Sequence, residues 1–183
     1  MEPTLDKFIH VLYFRGENLS YKETIQKYYS KLENFDSSIK KLENNNELHL
    51  ILNDPSKLHE LCKFLKKDLD LRLLTIICCD EQKLSGEFKI RHVFGSNVDD
   101  FFLFVILSIN SNHLYFPSIY DVFPSSVLYE REINDMFGLT AKNNPNIKPL
   151  ILHDFPNDVF PLQKDFKLNS IVKRNSKQFE FTI

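Results

Sequence analysis

The densest run of side chains able to do chemistry is Tyr129-Glu130-Arg131-Glu132-Ile133-Asn134-Asp135-Met136-Phe137-Gly138. Three carboxylates and a guanidinium within six residues could serve general acid–base or metal chemistry, or could form ion pairs. At about 100° per residue on a helix, Glu130 and Glu132 are not neighbours, whereas Arg131 and Asp135 lie four apart on one face and can pair. The spacing supplies no convergent pair of carboxylates, so the run predicts a charged helix whose ions pair on the helix or with neighbouring segments. A metal or hydrolytic site would need a carboxylate–histidine element at ligand spacing. His10, His49, His59, His92, His113 and His153 are scattered singly. Only His153, beside Asp154, has an acid next to it after the helix, and adjacent residues seldom make a catalytic dyad. A metal-dependent hydrolase built on Glu130, Glu132 and His153 is the rival reading of these residues.

Other chemistries lack their parts. Gly16, Gly86, Gly95 and Gly138 stand alone, so no glycine-rich loop is present to cradle phosphates, and no serine sits in a Gly-x-Ser-x-Gly elbow. Cys62, Cys78 and Cys79 lack the Cys-x-x-Cys pairing that zinc and iron–sulfur sites use, and adjacent Cys78 and Cys79 would face opposite sides of a strand. They are expected to be reduced packing residues. With 23 basic and 25 acidic side chains there is no field to attract nucleic acid or anionic lipid. The longest apolar run, Phe101 to Ile109, falls well short of the ~20 residues of a spanning helix. The first residues, Met1-Glu-Pro-Thr-Leu-Asp, lack the patterns of a secretory signal or transit peptide. Seventeen phenylalanines and no tryptophan hint at an AT-rich genome.

The elements that must position the charged run can be read from periodicity. Phe8 to Phe14 fits either a strand or a helix. Leu19 to Phe35 reads as a helix, with Ile25, Tyr28, Tyr29 and Leu32 at helical spacing. Glu47 to Leu52 alternates as a strand and stops at Asn53-Asp54-Pro55, where Asp54 can cap a helix starting at Pro55 and burying Leu58, Leu61, Cys62 and Leu65. Leu71 to Cys79, Phe88 to Phe94 and Phe101 to Ile109 follow as a meander of antiparallel strands. This order predicts an α+β fold, with helices packed on one face of a mostly antiparallel sheet. Six of the eight prolines fall between Pro117 and Pro161, which predicts an extended, surface-wrapping C-terminal segment. One helix fits inside it: Ser125 or Ser126 as its cap, Leu128, Ile133, Met136 and Phe137 as its apolar side, Gly138 as its stop. The expected division is residues 1–116 as the α+β domain and 117–183 as motif helix and extended segment.

The stretch from Tyr115 through Gly138, followed by Asn144-Pro-Asn-Ile-Lys-Pro-Leu-Ile-Leu and Phe160-Pro-Leu-Gln-Lys-Asp-Phe, resembles the signature region of a respiratory complex I subunit. That subunit is the C-type subunit of bacteria and the subunit 9, or 30-kDa subunit, of mitochondria. The pattern Glu-Arg-Glu, two residues, an acid, two apolar residues and Gly is met by Glu130, Arg131, Glu132, Asp135, Met136, Phe137 and Gly138. A second element is met by Pro161, Leu162, Lys164, Asp165 and Phe166. The chain departs from the family at Asn144, where His is usual, and at Lys148 and Gln163, where Arg is usual.

The resemblance implies a peripheral-arm subunit of a proton-pumping NADH:ubiquinone oxidoreductase, inactive alone. It would bind no cofactor itself, with flavin, iron–sulfur clusters and quinone held by partner subunits. Its tail would wrap the quinone-site 49-kDa-type subunit, beside iron–sulfur subunits, on the matrix side of the mitochondrial inner membrane or the cytoplasmic face of a bacterial membrane. Aromatic residues of the tail, Phe155, Phe160 and Phe166 among them, are expected to be buried mainly against another subunit. A homologous subunit of an energy-converting membrane-bound hydrogenase or formate hydrogenlyase is the alternative within the same superfamily.

Overall fold

The computed structural model describes residues 21–35, 40–44, 47–153, 156 and 158–167. Helix α1, Tyr21–Phe35, is followed by strands β1, Lys40–Asn44, and β2, Glu47–Leu52. The 3₁₀ turn Pro55–Lys57 leads into α2, Leu58–Lys67, and then β3, Leu71–Glu81. The short helix α3, Gln82–Ser85, joins β3 to β4, Glu87–Ser96, and β5 spans Phe102–Asn110. After β6, Tyr115–Pro117, come the motif helix α4, Ser126–Phe137, and β7, Thr140–Lys142. The predicted strand or helix over Phe8 to Phe14 lies outside the described residues.

Strict alternation in β2 buries Leu48, Leu50 and Leu52 and leaves Glu47, His49 and Ile51 half-buried, the signature of a strand with one face on the core. Register carries that face across the sheet, from Leu50 to Val105 to His92 to Ile76. The helices supply the opposing layer. Leu58, Leu61, Cys62 and Leu65, predicted as one apolar face of α2, are all fully buried, and they share one core cluster with Ile25, Tyr28 and Leu32 of α1 and Ile133 and Phe137 of α4. The motif helix therefore packs into the same core as the sheet. Asp54 does cap the turn at Pro55, its Oδ1 accepting the Ser56 N–H at 2.9 Å.

The sheet runs β1-β2-β5-β4-β3. The meander β3, β4, β5 is antiparallel as expected, and the addition is β1, pairing antiparallel with β2, which in turn joins β5 in parallel. A second, two-stranded sheet pairs β6 with β7 in parallel on either side of α4. At Leu73/Thr75 the β3–β4 register shifts, and Gly95 leaves room there: a Cβ on it would lie 2.9 Å from Leu74 Cδ1. The carbonyl of Leu74, the residue passed over by the pairing, accepts the Tyr129 hydroxyl of α4 at 2.9 Å.

Candidate functional site: the motif helix and its strap

The predicted serine cap is not made. Ser125 already has helical backbone angles, φ −62° and ψ −20°, and its side chain caps nothing. A capping side chain works from an extended residue, so a chain that enters α4 through a run of turns leaves no such position. Ser126 is fully buried and its Oγ has no hydrogen-bond partner among the described residues. Leu128, expected on the apolar side, points outward and is 55% exposed. The far end is as predicted: Gly138 adopts φ +74° and its N–H returns to the Asn134 carbonyl.

Glu130 is fully buried. Ser118 Oγ donates to its Oε2 at 2.6 Å, the Ile119 N–H to its Oε1 at 2.9 Å and Asn144 Nδ2 to Oε2 at 2.8 Å. A carboxyl taken out of water needs such donors, and these tie the turn after β6 and the segment after β7 to the helix. The amide of Asn144, the family departure, thus still reaches Glu130 as a donor.

The anticipated Arg131–Asp135 ion pair is replaced by something more specific. Arg131 Nε donates to the Lys148 carbonyl at 2.8 Å and Nη2 to the Pro149 carbonyl at 2.7 Å. Asp135 Oδ2 accepts the N–H groups of Leu150, Ile151 and Leu152 at 2.7, 2.8 and 3.2 Å. One helix face therefore takes two successive carbonyls and then three successive amides of a strap containing Pro149. A segment in which proline interrupts the ladder still has backbone polar groups to satisfy, and Arg131 and Asp135 satisfy them in place of a neighbouring strand. Burial pushes the Asp135 carboxyl up, but the three amides and the nearby Arg131 charge outweigh it and hold it below the usual carboxylate range.

The end of the strap returns to the helix terminus. The Leu162 N–H meets the Met136 carbonyl at 3.1 Å, and Gln163 Nε2 meets that of Phe137 at 2.7 Å, satisfying carbonyls that a helix leaves open at its C-terminus. Here another of the departures, Gln163, also acts as an amide donor. Phe160 packs on Gly138 so closely that a Cβ there would meet its ring at 2.7 Å. Phe160 is thus half-buried against its own chain and Phe166 is also half-buried, while Phe155 lies outside the described residues.

Sequence reasoning missed Asp80. It is 5% exposed at the end of β3, its Oδ1 accepting the Gln82 N–H at 2.9 Å and its Oδ2 the Lys164 N–H at 2.8 Å. Burial raises its pKa, and the two amides with the Lys164 charge more than reverse this. An Asp at a strand end signals a local turn, but nothing local signals a partner 84 residues away. Pro161 is half-buried, and Lys164 and Asp165 are exposed.

The structure does not bring Glu130, Glu132 and His153 together. Glu130 is buried, Glu132 and His153 are exposed, and among the described residues no group of three or more His, Cys, Asp or Glu side chains could hold a metal ion. Cys62 and Cys78 are free thiols pushed up in pKa by burial, and Cys79 Sγ accepts Arg91 Nη1 at 3.0 Å on the sheet's other face. A hollow of about 180 Å³ lies between strap and helix, lined by Asn134, Asp135, Ile147, Pro149, Leu152 and Phe160 among others. No described helix is long and apolar enough to cross a membrane.

An α+β domain whose signature ions hold its own backbone has the makings of a rigid binding module. Residues 51–172 match the family described as respiratory-chain NADH dehydrogenase, 30 kDa subunit, and the chain belongs to that family. It is 32% identical over 115 residues to the C-type subunit of the NADH-quinone oxidoreductase of Ruegeria pomeroyi, covering 61% of this chain and 56% of that one. It is also 32% identical over 88 residues to formate hydrogenlyase subunit 5 of Escherichia coli, covering 47% of this chain and 16% of that protein. The chain thus spans little more than half the length of the first relative and a small part of the second. Its fold is shared with a chain of the archaeal membrane-bound sulfane sulfur reductase, at a TM-score of 0.74 and 19% identity over 88% of this chain and 96% of that one.

Proposed function

We propose that this protein is a non-catalytic subunit of the peripheral arm of a proton-translocating NADH:quinone oxidoreductase. It supports electron transfer from NADH to quinone by holding neighbouring subunits together and binds no cofactor itself. The observation that carries this reading is the use made of the family motif. Glu130, Arg131 and Asp135 each bind backbone or side-chain groups of their own chain at 2.6 to 3.2 Å, so the motif organises a surface and leaves no converging acid–base pair. The strap so fixed, with the chain beyond it, wraps a quinone-site subunit of the 49-kDa type beside iron–sulfur subunits. The location that fits is the matrix side of the mitochondrial inner membrane, or the cytoplasmic face of a bacterial one. Flavin, clusters and quinone reside in the partners.

A second reading, a subunit of an energy-converting membrane-bound hydrogenase or formate hydrogenlyase, is favoured by the similarity to formate hydrogenlyase subunit 5. Purification in mild detergent through a tag on this chain distinguishes them. An NADH-binding flavoprotein among the retained subunits supports the oxidoreductase, and a nickel–iron large subunit without such a flavoprotein supports the hydrogenase. Retention of neither would overturn both.

A further inference from the structure

Of the four charged side chains in the motif, three are engaged within the chain. Glu132 makes none of the hydrogen bonds or ion pairs found among the described residues and is exposed. One turn before it on α4, Leu128 is 55% exposed. At the strap, Ile151 and Leu162 are 54% and 53% exposed although their own N–H groups are pinned, to Asp135 and to the Met136 carbonyl. Apolar side chains exposed on backbone that is already immobilised lose little further entropy on docking, which distinguishes a prepared surface from scattered exposed leucines. A carboxylate one turn from the exposed Leu128 rules against an anionic membrane surface and asks for a cation. The planar, weakly hydrated guanidinium is the cation suited to a carboxylate framed by apolar groups.

We infer that Glu132, with Leu128 one turn before it, is a docking point for an arginine of the neighbouring quinone-oxidoreductase subunit. This rests on the function proposed above and adds the contact chemistry: the inward-facing ions of the motif set the surface, and Glu132 selects the partner. Because Glu132 binds no group among the described residues, changing it alters recognition without releasing the strap, which separates it from Arg131 and Asp135.

The test uses the assembled complex, purified through a tag on this chain carrying Glu132→Lys, Glu132→Gln or Leu128→Asp. The expected result is a fall of at least about tenfold in co-purifying quinone-site subunit for Glu132→Lys and Leu128→Asp and a smaller fall for Glu132→Gln. The strap should remain as resistant to limited proteolysis as in the unchanged chain. A photoreactive side chain in place of Leu128 should crosslink to a partner peptide containing an arginine, and exchanging that arginine for glutamate should restore assembly of Glu132→Lys. Wild-type yield with Glu132→Lys, while the unchanged chain brings its oxidoreductase partners, would overturn this inference alone. An unchanged chain that brings no such partners would overturn the proposed function with it. A crosslink to a second copy of this chain, or binding to anionic vesicles that Glu132→Lys strengthens, would assign the surface to a different occupant and also overturn it.

Discussion

Asp135 shows how much one side chain can organise: a single carboxylate oxygen accepts three consecutive amides of the strap. Asp135→Ala strands those donors, and the expected loss is roughly 2–4 kcal/mol, read as a lower urea midpoint. Asp135→Asn, which keeps a carbonyl oxygen without the charge, should lose less. Equal destabilisation by both would show that the charge contributes nothing. A second residue-scale effect belongs to His92, wholly buried on the core face of β4, neither ring nitrogen having a hydrogen-bond partner among the described residues. Burial lowers its pKa from 6.5 to about 4; the Val105 backbone pulls weakly the other way without bonding geometry. Between those values the unfolded chain binds a proton that the folded one refuses, so stability falls as pH drops from about 6.5 to 4 and this contribution is flat below. The loss across that window is about 3 kcal/mol. Asp80 and Asp135, with pKa values held low in the fold, withdraw their stabilisation only below about pH 4, as they are protonated. Stability measured from pH 7 to 4 should therefore flatten in His92→Leu; an unaltered slope would assign the acid sensitivity elsewhere.

At the scale of elements, two helix starts make opposite predictions. Asp54→Ala removes the acceptor of the Ser56 N–H and hydroxyl, and should cost about 1 kcal/mol in thermal or urea unfolding. Ser125→Ala, at a position that looks equally like a cap, should change stability by less than about 0.5 kcal/mol, because its side chain bonds nothing at the helix start. A loss as large as that of Asp54→Ala would mean that Ser125 caps in solution. Gly138 is under two constraints, a left-handed φ of +74° and the Phe160 ring where a Cβ would sit. Gly138→Ala should therefore be destabilising by at least about 1 kcal/mol and should expose the strap around Phe160 to protease. If the strap stayed as resistant as before, the Phe160 contact would not be what holds it.

For the molecule as a whole, the decisive property is that the strap is fastened at three places, on Arg131 and Asp135, on the carbonyl end of α4, and on Asp80. Arg131→Ala should loosen the first of these and lower the amount of assembled oxidoreductase. The complexes that do form should turn over NADH at a near-normal rate per molecule. Normal assembly with turnover cut a hundredfold would instead give Arg131 a direct part in the chemistry. Glu130 belongs to the same scale, since it joins the turn after β6 to the segment after β7 through the interior, where losing the carboxyl leaves three donors without an acceptor.

The sequence by itself determined the elements whose physics is local. Alternation marked β2, helical spacing marked α1 and the buried face of α2, proline and aspartate marked the turn between them, and glycine marked the end of α4. It also carried the family motif, an ordered set of charges and prolines that can be read without the fold. What only the tertiary structure decided are the partners. Arg131 and Asp135 stand one turn apart and would pair in an isolated helix, but a strap crossing above them offers carbonyls to one and amides to the other. Leu128 has the spacing of a core residue and faces outward, because the sheet lies on the other side of the helix. The parallel joining of β2 to β5 and the bond from Asp80 to Lys164 are contacts between residues far apart in the chain. No local propensity encodes such contacts; they follow from which surfaces meet once the core has closed.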